Sequence, residues 1–265
     1  SSELSDMRPN LLPGLLLAAQ RNADRGIGDV ALFEVGQVFK GDKPEDQHDA
    51  ASGVRLGGAT LSSNGRHWSG ANAAATVFDA KEDALTVLSS MGANVANLQI
   101  VKGGPDYFHP GRSGTIQQGP KNIIGHFGEL HPRALEKLDV AGPVVGFEIN
   151  LAALPAPRAK ATKTKGAMAA SDLQPVHRDF AFVVDSSIEA DKLLRAAKGA
   201  DKKLITEVAL FDIFEGDAIG ADKKSLAIDV TLQPTAKTMT DEEIEAISSK
   251  IVLAVEKATG GSLRG

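Results

Sequence analysis

The sequence predicts two α+β domains joined by a short basic segment, the second running strand, helix, strand, strand, helix, strand. Three observations carry this. The chain has 265 residues, more than the roughly 100 to 200 of a usual single domain. Its charge is uneven: residues 1–154 hold 13 Lys+Arg against 17 Asp+Glu, residues 155–170 hold 4 against 0, and residues 171–265 hold 12 against 17. Both outer blocks carry strand-period and helix-period apolar patterns, whereas PAPRAKATKTKGAMAA between them lacks large apolar residues and reads as a linker.

In the C-terminal block, Arg178 to Val184 alternates, with Phe180, Phe182 and Val184 on one side. Ser186 followed by Glu189 is a capping-box pattern, and Ala190, Leu193, Leu194 and Ala197 recur at helical spacing up to Gly199. Leu204 to Phe214 is β-branched and aromatic, Glu215 to Asp222 reads as a turn, and Lys224 to Leu232 alternates, which makes a hairpin. Thr240 with Glu243 is a second capping box. The helix it opens has Ile244, Ile247, Ile251, Val255 and Ala258 on one face and ends at Gly260 and Gly261. Ser262 to Arg264 is the last short strand.

That order is the ferredoxin-like arrangement, in which both helices cover one face of a four-stranded antiparallel sheet and leave the other open. Alternation places Asp179, Ala181, Asp212, Phe214, Ser225, Ala227 and Asp229 on the open face. Small residues, acceptors and one aromatic suit a flat ring that is stacked and hydrogen-bonded at its edge, as unpaired RNA bases are. They also suit a solvated face, and the domain's net negative charge favours that reading, since phosphates dominate RNA affinity.

In the N-terminal block, Leu11 to Gln20 suits a helix beginning near Pro13, Val30 to Phe39 a strand, and Val77 to Ser89 an amphipathic helix. Gly114 to Gln118, Ile123 to Phe127 and Gly146 to Ile149 suit further strands. An antiparallel sheet with flanking helices is expected. The chain has no cysteine, which excludes disulfides, iron–sulfur clusters and cysteine-based zinc sites and fits a reducing compartment. No apolar run approaches the ~20 residues that span a bilayer. Ser1 to Asn10 has no signal-peptide pattern, and a fragment of a longer chain is expected.

RDFAFVV, LFDIFEG, KKSLAIDVTLQPTAKTMTDEEI and SLRG together resemble the anticodon-binding ferredoxin-like domain of the phenylalanyl-tRNA synthetase family. MRPNLLPGLL, ALFEVGQVF, YFHPGRSGTI and GHFGELHP, in that order, are similar to the segment before that domain in the family's bacterial β subunit. The resemblance implies a degenerate class II synthetase-like antiparallel sheet domain over 1–154, a basic linker over 155–170 and an anticodon-binding domain over 171–265. It implies tRNA(Phe) held on the open face, with Asp212, Phe214, Ser225 and Ala227 at the motif's positions and Arg178 and Arg264 at its basic ones. At Phe214 the family more often has Tyr, so the stacking face is kept and a hydroxyl is absent. It implies a catalytic α subunit as partner, in a heterotetramer of two α and two β, and a cytoplasmic enzyme with no membrane association. ATP and Mg2+ are used by the whole ligase and no cofactor by this fragment.

An active class II site would need Arg-x-Glu after the second motif's strand and a glycine-rich third motif ending in Arg. Here ALFEVGQVF runs into Lys40, Gly41 and Asp42, and HFGELHPRAL lacks the glycine run and its arginine. No adenylation chemistry is expected of this chain. His109, His126 and His131 match no compact zinc spacing and are expected to be structural. Asp106 to Arg112 is expected to form a turn that gives Arg112 to an internal carboxylate or a subunit contact. Asp79, Glu82 and Asp83 are expected as a charged first helical turn. A non-catalytic scaffold whose open face binds a protein or metabolite is the alternative. An acylphosphatase-like hydrolase would want Arg and Asn in the loop after the first C-terminal strand, and Asp185 to Ser187 supplies neither.

Overall fold

The computed structural model describes residues 6–58, 73–154 and 171–264, so the linker assigned to 155–170 lies outside the described residues. The chain divides into two compact units, Ser1–Ala161 and Thr162–Gly265. Among the described residues no helix is long and apolar enough to cross a membrane.

The first unit contains α1 (Leu12–Ala23), β1 (Val30–Phe39), β2 (Gln47–Leu56), α2 (Val77–Ser90), β3 (Gln99–Lys102), β4 (Phe108–Gln117), β5 (Ile123–Leu130), α3 (Pro132–Lys137) and β6 (Val144–Asn150). Its strands form one six-stranded sheet in the order β1-β2-β6-β5-β4-β3, every neighbouring pair antiparallel. Alternation sends Val54 and Val144 to one face, where they pack with Leu12, Leu15, Leu16 and Ala19 of α1. Val145, Phe147 and Ile149 go to the other, against Ala80, Ala84 and Leu88 of α2. Arg55 ties β2 to α2 through two hydrogen bonds to Asp83, at 2.6 and 2.7 Å.

The sequence reading finds α1, β1, α2 and the greater part of β5 and β6, only the last four residues of β4, and passes over β2, β3 and α3. The turn expected over Asp106 to Arg112 holds only for Asp106 and Tyr107, because Phe108 to Arg112 already run in β4. β2 lies between β1 and β6 and is buried on both faces, so its central AASG shows no alternation and little bulk. Small residues are needed there because an ideal Cβ on Gly53 would stand 2.5 Å from the Phe147 ring. Gly114 on β4 relates to Phe127 on β5 in the same way, at 2.6 Å.

The second unit contains β7 (Val176–Asp185), α4 (Ala190–Gly199), β8 (Ile205–Phe214), β9 (Lys223–Leu232), α5 (Asp241–Thr259) and β10 (Ser262–Leu263), in the sheet order β10-β7-β9-β8. This is the expected ferredoxin-like topology. Phe180, Phe182, Leu226, Ile228 and Val230 pack with Leu193 and Ala197 of α4 and Ile247, Ile251 and Val255 of α5. The box at α5 forms: Thr240 Oγ1 accepts from the Glu243 amide and Glu243 accepts from the Thr240 amide. Gly260 closes the helix in the left-handed region at φ 71°. The box expected from Ser186 and Glu189 does not form. Asp185 instead accepts from the Ser187 amide at 2.9 Å, and this local turn delays the helix to Ala190, with Glu189 at its N-cap.

Gly114→Ala is expected to destabilise the first unit by about 1 to 3 kcal/mol, because Phe127 is core and its ring must leave its rotamer. Faster hydrogen exchange along β4 and β5, with α5 unchanged, is the check.

Candidate nucleic-acid interface

Both helices of the second unit pack on one face of its sheet, so what the other face presents depends on strand parity. β7 and β9 pair without a break, which puts Ala181 beside Ala227 and Asp179 beside Asp229. On β8 regular alternation would put Leu210, Asp212 and Phe214 on the same side. The register instead shifts between Leu210 and Asp212: Leu210 pairs with Ile228, and Asp212 then pairs with Ala227. Phe211 is the extra residue of a β-bulge. This bulge lets Val208 and Leu210 keep to the core while Asp212 and Phe214 turn to the open face.

Phe214 pairs with Ser225 and Asp212 with Ala227, so four of the six candidate residues form one patch on neighbouring strands. Arg264 joins them from the opposite edge. Its amide donates to the Ala181 carbonyl at 2.7 Å, and its guanidinium carbon lies 5.6 Å from the Phe214 ring centroid. With β7 and β9 between them, the arginine side chain reaches over the small residues to cap the ring in a cation–π contact. Phe214 is 39% exposed and Ser225 only 3%. Gly216 stands behind the ring: a Cβ there would be 3.0 Å from its tip.

Arg178 is not part of this patch. It pairs with Val230 and shares the parity of Phe180, so it belongs to the exposed margin of the helix-covered face. The sequence reading also gave no role to His177, which sits on the open face with its Nδ1 3.2 Å from Asp229 Oδ1.

The first unit has a polar centre inside its sheet, on the face opposite α2. Ser52, Glu148, His126 and Thr115 are successive cross-strand partners. Burial raises the Glu148 pKa, partly offset by the Tyr107 hydroxyl, which donates to Glu148 Oε2 at 3.2 Å, and by Lys40. Burial likewise holds the Tyr107 phenol protonated and lowers the His126 pKa. Thr115 gives its one hydroxyl proton to the Gly103 carbonyl at 2.8 Å, so at the His126 Nδ1 contact it can only accept. His126 therefore carries its proton on Nδ1.

The remaining polar residues have local tasks. His131 Nδ1 caps α3 by accepting from the Arg133 amide, and His109 Nδ1 accepts from the Gly111 amide. Arg112, in strand β4 rather than in a turn, meets the internal carboxylate of Glu129 at 3.2 Å. Asp79 closes a box with Thr76 in the first turn of α2, while Glu82 and Asp83, expected in that turn with it, lie one turn further on. No three His, Asp or Glu side chains gather as metal ligands among the described residues.

Family models match both units. Residues 1–151 fit the phenylalanyl-tRNA synthetase β chain CLM domain, more than half of the chain. The chain belongs to this family. Residues 171–264 fit the ferredoxin-fold anticodon-binding domain. Curated relatives called phenylalanine–tRNA ligase β subunit share 57% identity over 265 residues in Mesorhizobium japonicum and 59% over 266 in Rhodopseudomonas palustris. In each case the match covers 100% of this chain and 33% of the relative, so the chain spans about a third of their length. A solved pyrrolysyl-tRNA synthetase from Desulfitobacterium hafniense covers 55% of the chain and 46% of its own at 19% identity and a TM-score of 0.40, too distant to bear on function.

A carboxyl whose folded pKa lies above its unfolded value contributes stability below the unfolded value, near 4.5, and loses it as pH rises through the folded value. Glu148→Gln keeps an acceptor for Tyr107 and removes that penalty. The variant is expected to match the parent in urea midpoint near pH 4 and to exceed it at pH 8.

Proposed function

We propose that this chain is the part of a phenylalanine–tRNA ligase β subunit that holds the anticodon loop of tRNA(Phe) on the open face of its second unit. The observation that carries the reading is the Phe214 ring, turned outward by the bulge and set above the small residues Ala227 and Ser225. An unpaired base stacks on such a ring, with the Asp212 carboxylate placed to accept from its edge. A base inserted between ring and guanidinium needs about 7 Å, more than the 5.6 Å available. Arg264 must therefore move aside, which frees its charge for a phosphate. Arg178 meets the RNA backbone from the margin.

The first unit is a catalytically silent scaffold in this reading. The motif positions of a class II site hold Lys40, Gly41 and Asp42. Phenylalanine activation with ATP and Mg2+ then belongs to the α subunit of a cytoplasmic assembly of two α and two β. Edge strand β1, with Phe33 at 79% and Val35 at 60% exposure, supports a packing role.

Fluorescence anisotropy of the chain with a tRNA(Phe) anticodon stem-loop at low salt tests the reading. Phe214→Ala is expected to weaken binding about tenfold or more, since base–aromatic stacking contributes roughly 1 to 3 kcal/mol. Arg264→Ala should lower the slope of log K against log salt by roughly one. Undiminished binding by Phe214→Ala would refute it.

A further inference from the structure

Beyond the Phe214 patch the open face continues for two more rows, and their chemistry is of another kind. Asp179 of β7 faces Asp229 of β9, and His177 faces Thr231. Ala209 and Glu207 extend these rows onto β8. Same-face residues two apart along a strand are separated by about 6.8 Å, roughly the step between successive unstacked bases. A nucleotide next to the one on Phe214 therefore arrives over Ala181 and Ala227 with its edge toward Asp179 and Asp229.

Hydrogen-bond direction in these rows is fixed. Ionised carboxylates accept and cannot donate. His177 Nδ1 lies 3.2 and 3.3 Å from the two Asp229 oxygens, so Nδ1 is the nitrogen that donates there. The Thr231 hydroxyl gives its proton to Asp229 Oδ1 at 3.4 Å. With Asp229 29% exposed and Asp179 exposed beside it, the two carboxylates present acceptors toward solvent, and His177, 60% exposed, holds Asp229 in place. Such a surface repels phosphate and gives a carbonyl-rich base edge no partner. It matches a base edge that carries an exocyclic amino group.

We infer that Asp179, Asp229 and His177 form a second specificity station, which selects an amino-bearing base beside the one stacked on Phe214. The inference rests on the anticodon-loop reading and adds to it a direction: bases run across the acidic rows while the backbone keeps to the side of Arg264.

Stem-loops in which one loop base at a time loses its exocyclic amino group, inosine for guanosine or purine riboside for adenosine, test it by anisotropy against the 265-residue chain. The unaltered chain should lose about fivefold to tenfold in affinity at one loop position. Asp229→Asn, which keeps the shape and turns an acceptor into a donor, should remove that discrimination, as should Asp179→Ala with His177→Ala. Phe214→Ala should bind more weakly overall with the discrimination ratio intact. Equal affinity for amino-deleted loops at every position but that of the base Asp212 meets, or discrimination beside that base that survives Asp229→Asn, would overturn the station and leave the anticodon-loop reading standing. Failure of the unaltered chain to bind any stem-loop at low salt would overturn both.

Discussion

One extra residue in one strand decides what the second unit can offer a ligand. Val208 and Leu210 are needed against the core, and Asp212 and Phe214 follow at the same parity. Without the bulge at Phe211 they would be driven toward the helices, where a carboxylate would be desolvated without a partner. With it, a single strand serves the core along its first half and the open face along its second. The stacking ring, the cap by Arg264 and the placement of Ser225 and Ala227 under them all depend on this change of side.

The two sheets of the chain show what covering one face or both does to polar residues. In the first unit, helices pack on both faces, so Tyr107 bonds Glu148 and His126 bonds Thr115, and burial shifts Glu148, His126 and Tyr107 toward their neutral forms. In the second unit, α4 and α5 share a face, and Asp179, Asp212, Asp229 and His177 remain accessible on the other. On the open sheet face of the second unit, therefore, polar residues are available to a partner, whereas those inside the first unit's sheet are covered.

Much of this was legible in the residues. Period-two alternation in Phe180 to Val184 and Leu226 to Leu232, a capping box at Thr240 and glycines at 260 and 261 place the second unit's topology without further help. β2 was not legible, because a strand buried on both faces and crossed by Phe147 is built from alanine, serine and glycine, the residues that otherwise mark loops. The start of α4 was misplaced because Asp185 competes for Ser187 through a turn whose strength is not visible in spacing. Arg264 reads as a basic position, but its reach over β7 and β9 to Phe214 follows only from sheet order. The same holds for Arg178, whose parity with Phe180 separates it from the patch it was grouped with.

The central claim is that the helix-free face of the second unit is the RNA-binding face, and amide chemical shifts of the 265-residue chain titrated with an anticodon stem-loop test it most directly. The account predicts the largest shifts at Ala181, Asp212, Phe214 and Ala227, with Leu193 of α4 and Ile251 of α5 unmoved. Shifts concentrated on α4 and α5, with the open face silent, would contradict it.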